Sequence, residues 1–301
     1  MAGIPTNRTT ITLPADVSRE ILQKTQQASA VMQLARQIPL PGRGAVIPVI
    51  TSDPAASWVA ETDEKPVSNP GLNTKLMQAY QLAVIVPFSL QFRRDADALF
   101  AAIVERLPMA LAQKFDATVI GAVNAPGENF DTFALATAQA LVPGAGETVY
   151  GNLVAAYGDI AANGGSMDGI AISPVGMGLL LGATGSDNRP IFNSAADAAI
   201  ARILGARTVE SRGMYKAGAA GQGTAAGTPA LVGVAGDWTQ AMWGTVGGVD
   251  ISISEESTLT IGTQQINLWQ RNMFAVRAEI EVGFRADVNC FNLLTGATPS
   301  A

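Results

Sequence analysis

The side chains able to do chemistry in this chain are 25 carboxylates, 19 lysines and arginines, and one thiol; histidine is absent from all 301 residues. Without imidazole there is no Ser-His-Asp or Cys-His constellation and no helical zinc-protease motif, and most metal sites are excluded. Carboxylate pairs or a lysine could still carry a reaction, so a carboxylate-dependent hydrolase is the enzymatic alternative. The motifs that organise cofactor chemistry are missing: no GxxxxGK[ST], no GxGxxG after a strand and no CxxC occurs. Cys290 sits among apolar neighbours and reads as a small core residue rather than a nucleophile. The expectation is a chain with no catalytic residue, no metal and no cofactor. Its informative residues are then contact residues: Trp58, Glu61, Lys65, Lys75 and Tyr80, all within one extended stretch.

The elements that position them follow from composition and periodicity. At 48% hydrophobic and 15% charged residues the chain can bury a large core. No apolar run approaches ~18 residues, and no basic region precedes an apolar block at the start, so neither a membrane span nor a secretory signal is expected. Net charge is −6, but residues 1–45 carry five basic against two acidic side chains. An acidic body with a mildly basic arm is unlike a specific DNA reader.

From Pro87 to Gly121, Phe92, Ala96, Leu99, Ile103, Leu107, Leu111, Phe115 and Val119 recur at steps of four and three. This spacing predicts one long amphipathic helix of about 50 Å. Ser89 is its candidate N-cap, Pro108 a kink and Gly121 its stop. Arg93, Arg94, Asp97, Glu105, Lys114 and Asp116 fall on the other sides. An earlier, thinner helix is expected from Asp16 or Ser18 to about Gln37, followed by a strand at 45–51 with Pro48 favouring an edge. Ser57 to Glu61 reads as the outgoing strand of a long hairpin and Leu72 to Val86 as its return, with turn chemistry between them. Such an arm is marginal alone in water and needs another surface, either its own body or a neighbouring chain.

Beyond residue 125 the chain is rich in Ala and Gly. Helices are expected at 149–162 and 175–183, the latter capped by Ser173-Pro174, with a buried strand at 169–172 between them. Residues 217–229 read as a low-complexity surface loop. Strands at 231–234, 242–246 and 251–254 lead to a strictly alternating strand at 274–284, predicted to lie beneath the long helix. The compositional break near 125 and the return near 245 suggest an inserted domain.

Four signals in order carry a family resemblance: Ser57-Trp58-Val59 with Glu61 and Lys65-Pro66; Val86-Pro87-Phe88-Ser89 with Asp95; Asp116 with Val119-Ile120-Gly121; and Gly236-Asp237-Trp238 with the strand Ala275-Val276-Arg277-Ala278-Glu279 and its tail to Phe291. The chain resembles the tailed-bacteriophage major capsid proteins with the HK97-type fold, from Ser57 to Leu294. The resemblance implies an α+β fold with an N-terminal arm (1–50) and an extended hairpin loop (51–86). It also implies a peripheral domain with a long spine helix (87–125 and 246–301) and an inserted axial domain (126–245). It implies self-assembly into pentamers and hexamers of an icosahedral head around double-stranded DNA, contacted non-specifically, with a portal protein at one vertex and possible decoration proteins. The place of assembly would be the host cytoplasm.

Because Met1 stands about fifty residues before the hairpin, no long scaffolding segment is expected here; a separate scaffolding protein, or none, is implied. Some members join subunits by lysine–asparagine bonds; Lys65 and Lys75, with Asn289 and Asn292, are the residue types available, and plain solvated lysines are the preferred reading. Trp58 is the candidate anchor of the arm, with packing in its own core as the alternative. Glu61 is a candidate partner for a basic residue across a junction. A nanocompartment shell of the encapsulin kind, enclosing enzymes rather than a genome, is the alternative within the same fold.

Overall fold

The computed structural model describes residues 23–52, 54, 56–59, 64–65, 67–68, 71–89, 96–142, 147–185, 190–192, 202–221, 227–261 and 264–299. In chain order the first elements are α1 (23–28), α2 (Ala30–Leu34), β1 (Arg36–Pro39), β2 (Ala45–Ser52), β3 (Gly71–Met77), β4 (Tyr80–Ser89) and α3 (Ala96–Val119). There follow β5 (Thr137–Ala140), α4 (Val149–Ala162), β6 (Gly169–Ile172), α5 (Pro174–Leu181), β7 (Arg202–Ile203) and β8 (Ala206–Glu210). The chain closes with β9 (Leu231–Gly236), β10 (Ala241–Thr245), β11 (Asp250–Ser254), β12 (Thr258–Ile261), β13 (Gln264–Asn267), β14 (Met273–Ala286) and β15 (Phe291–Thr295).

The alternating strand forms as expected and organises one layer. β14 runs antiparallel to β4 along one edge, from Met273↔Ser89 to Val282↔Tyr80, and carries β11 and β10 along the other. The short β1 adds parallel to β10. Leu107 and Leu111 of α3 pack with Val276, Ala278 and Ile280, so the long helix does lie on this sheet. Leu107, Leu111, Phe115 and Val119 are all buried, one helical stripe. The helix passes Pro108 unbroken and ends before Gly121, whose φ of +83° suits a residue without Cβ. Ser89, the expected N-cap, is instead the last residue of β4, paired with Met273, so the expected 87–89 start is strand; residues 90–95 lie outside the described residues.

A second, six-stranded sheet runs β5-β15-β9-β6-β8-β7. α4 spans Val149–Ala162 as predicted, buries Val149, Leu153, Ala156 and Ile160, and is capped by Thr148. Ser173 caps α5 with Pro174 in its first turn, also as predicted. The final strand β15 pairs with β5 and β9, so the C-terminus crosses from the long-helix layer to this one. Phe115, Phe130 and Phe284 join Phe133, Phe291 and Trp238 in a continuous aromatic cluster between the layers.

Three sequence expectations are corrected. The N-terminal helix does not run to Gln37: it breaks at Ser29, whose hydroxyl caps α2, and Gln37 sits in β1. The outgoing strand of the arm is Ala45–Ser52, paired with β3 from Ala45↔Met77 to Ser52↔Gly71. Of the expected 57–61, residues 57–59 are not in a strand and 60–61 lie outside the described residues. The return is two strands, interrupted at Gln78-Ala79, where the chain passes from the arm to the β14 edge. The hairpin β12–β13 had no counterpart in the sequence reading.

Candidate assembly surfaces

Among the described residues no cluster of His, Cys, Asp or Glu could hold a metal ion. Cys290 is a buried free thiol whose pKa is pushed up by burial and by Asp287 and Asp237, so it is disfavoured as a thiolate. The built polar sites instead tie chain segments together.

The first lies at the root of the arm. Arg285, near the end of β14, donates from Nε and Nη2 to the Leu76 carbonyl at 2.8 and 2.7 Å. Its Nη1 reaches Asp131 Oδ1 at 2.7 Å and its Nη2 reaches Asn129 Oδ1 at 2.9 Å. The other oxygen of Asp131 accepts from the Ala286 amide at 3.1 Å. These charge-assisted bonds clasp β3 to the body. Lys75 belongs to the same cluster, donating to the Ala286 carbonyl at 3.1 Å and lying 3.8 Å from Asp131. Tyr80 packs edge-on against Phe130, and its hydroxyl accepts from the Asn129 amide at 3.2 Å.

The second is centred on Asp116, which is fully buried. Ser29 and Ser211 donate their hydroxyls to its two oxygens at 2.5 Å each. The Ala30 and Val31 amides donate at 3.0 and 3.4 Å. One carboxylate thus holds the start of α2, the end of α3 and the turn after β8. All four partners are neutral. Burial raises its pKa to about 6, against the lowering effect of those hydrogen bonds. Gly213 makes the approach possible: a Cβ there would fall 2.6 Å from that of Asp116. The helical pattern placed Asp116 away from the core. Its neighbour Phe115 is in the stripe, and a residue one step away lies only about 100° around the helix.

The third feature is the bare outer part of the arm. Ile47 and Met77 pack near the root with Leu40. Val46, between them in the ladder, is 65% exposed; past the ladder Val67 is 88% exposed and Trp58 fully exposed, so Trp58 takes no part in the core of its own chain. Lys65 is exposed as well. Glu61 lies outside the described residues, as do Asp95 and the central part of the 217–229 loop, residues 222–226. Asn289 is exposed and bonded to Asp287, whereas Asn292 is buried with its amide nitrogen on the Ala156 carbonyl.

Comparison with known proteins gives a consistent picture. A model of the phage capsid family matches residues 9–289. The chain is 28% identical over 304 residues to the "Probable major capsid protein gp17" of Mycobacterium phage L5, covering 94% of this chain and 89% of that one. Among solved structures, one from Mycobacterium phage Adephagia matches with a TM-score of 0.70 and 20% identity, over 91% of this chain and 92% of the other. One from Gordonia phage Cozz matches with a TM-score of 0.68 and 23% identity, over 90% and 87%.

Proposed function

The chain belongs to the phage capsid family and is a structural major capsid protein, and from that premise we propose that copies of it assemble into pentamers and hexamers of an icosahedral head enclosing double-stranded DNA. The observation that carries this reading is the arm: clasped at its root by Arg285, it holds Trp58 and Val67 in solvent. Exposed apolar side chains on a projecting ribbon are stabilised only by another surface. Heterologous contacts of one arm on the next body close into rings when the rotation permits.

In this reading residues 1–50 are the N-terminal arm and 51–86 the extended loop. α3 is the spine helix of a peripheral domain (87–125 and 246–301), and 126–245 form the axial domain, whose sheet borrows β15. Trp58, Glu61, Lys65, Lys75 and Tyr80 are the contact candidates, with Lys75 and Tyr80 acting through the arm's root. The chain works without catalysis. DNA contact is weak and falls with salt. A portal protein, and scaffolding or decoration proteins, are the expected partners. The virion is its destination, reached by assembly in the host cytoplasm.

The test is electron microscopy of the purified full chain beside a variant lacking residues 53–70. Closed shells for the first and their loss in the second are expected. Monodisperse monomers for the full chain would overturn the reading.

A further inference from the structure

A cavity of about 210 Å³ opens between the start of β4 and the last turns of α3, lined by Tyr80, Leu82, Lys114, Phe115, Val123 and Phe130. Its walls are mainly apolar, and the charged side chain among them is the exposed Lys114. An apolar cleft with a cation among its lining residues suits an aromatic ring, which offers a hydrophobic body and a negative face. Trp58 is such a ring, fully exposed on the same polypeptide. The stretch around it is acidic in sequence, with Glu61, Asp63 and Glu64 against Lys65, and so complements Lys114.

Trp58 does not fill the cavity of its own chain: its side chain is fully exposed. Tyr80 and Phe130 place the cavity beside the arm's root, where Asn129 and Asp131 are bonded to Tyr80 and Arg285. Trp58 lies past the other end of the β2–β3 ladder, which runs from Ala45↔Met77 to Ser52↔Gly71. Seven residue steps at strand rise put those ends about 23 Å apart. Each copy thus presents this open cavity and the exposed Trp58 indole, and a second copy can bring the two together.

We infer that Trp58 of one copy seats in the cavity between β4 and α3 of the next, making this the anchoring contact of the arm. The inference rests on the self-assembly reading and specifies the surface it uses. Hydroxyl-radical footprinting of the unsubstituted chain, as shells and as dissociated subunits, tests it directly. Oxidation of Trp58 and of the 123–130 peptide is expected to fall together, by at least tenfold, on assembly. Protection of Trp58 with 123–130 still reactive, or the reverse, would overturn the inference while leaving shell formation intact. Absence of shells would overturn the self-assembly reading itself, and this contact with it.

A second measurement uses W58C combined with V123C. Oxidised shells should give a ladder of covalent oligomers that collapses on reduction. Shells that form yet run as monomers would count against the contact. Should that variant not assemble, the footprint of the unsubstituted chain decides.

Discussion

Two carboxylates hold distant segments of this chain together, and they do so by opposite means. Asp131 meets the guanidinium of Arg285 at 2.7 Å, a cation for an anion, near the surface. Asp116 is sealed in the core and is held by two hydroxyls and two amides, with no cation among its partners. A charge that keeps a counter-ion remains comfortable when partly buried. One without a counter-ion is costly to keep ionised, and its pKa rises to about 6. The root of the arm is therefore held by a cation paired with an anion. The junction of α2, α3 and the turn after β8 depends on protonation.

Asp116→Ala should show the largest effect. It would strand two buried amides and two hydroxyls without an acceptor, at a cost of about 3–4 kcal/mol read from the denaturant midpoint of the unassembled chain. A loss below about 1 kcal/mol would mean that water or repacking satisfies the donors, and the contrast between the two sites would fade.

The pH response comes next. The folded-state pKa of Asp116, about 6, lies above the ordinary carboxylate value of 3.8. The folded state thus binds the proton more tightly, and the stabilisation is fully present below about pH 4. It is lost as pH rises through 6 and amounts to at most roughly 3 kcal/mol. Asp116→Asn removes this group's titration, so the wild-type minus Asn stability difference should change between pH 4 and 7.5 in that direction. An unchanged difference would refute the assignment.

Arg285→Ala should cost about 2 kcal/mol locally, by removing the guanidinium donors from the Leu76 carbonyl and from Asp131 Oδ1. Its signature is faster amide exchange across β3 with little change in the core of the second sheet. Arg285→Lys, with the charge but not the fork, should recover only part of it. If exchange in β3 is unaffected, the clasp does not hold the arm.

The smallest effect on the isolated chain is that of Trp58→Ala, within about 0.5 kcal/mol because the side chain is already in water. The same substitution should lower the yield or melting temperature of assembled particles. A large destabilisation of the monomer would place Trp58 in its own core after all.

Elements whose signals are local were legible from the residues alone. Val149–Ala162, the Ser173-Pro174 start of α5, the stop at Gly121 and the alternation of β14 each follow from caps, glycine and period. The resemblance carried by Trp58, Asp116 and Gly236-Asp237-Trp238 was likewise readable, since it depends on order and spacing. Tertiary structure decided what depends on a partner far along the chain. The residues from Ser57 read as the outgoing strand, but it is 45–52 that pairs with β3. Asp116 reads as a surface residue until Ser29, 87 positions earlier, and Ser211, 95 positions later, converge on it. Periodicity marks no strand at 291–295, and β15 forms there by pairing with β5 and β9. Caps and periods are properties of neighbouring residues, whereas strand pairing and the burial of a charge are settled only when the whole chain has closed.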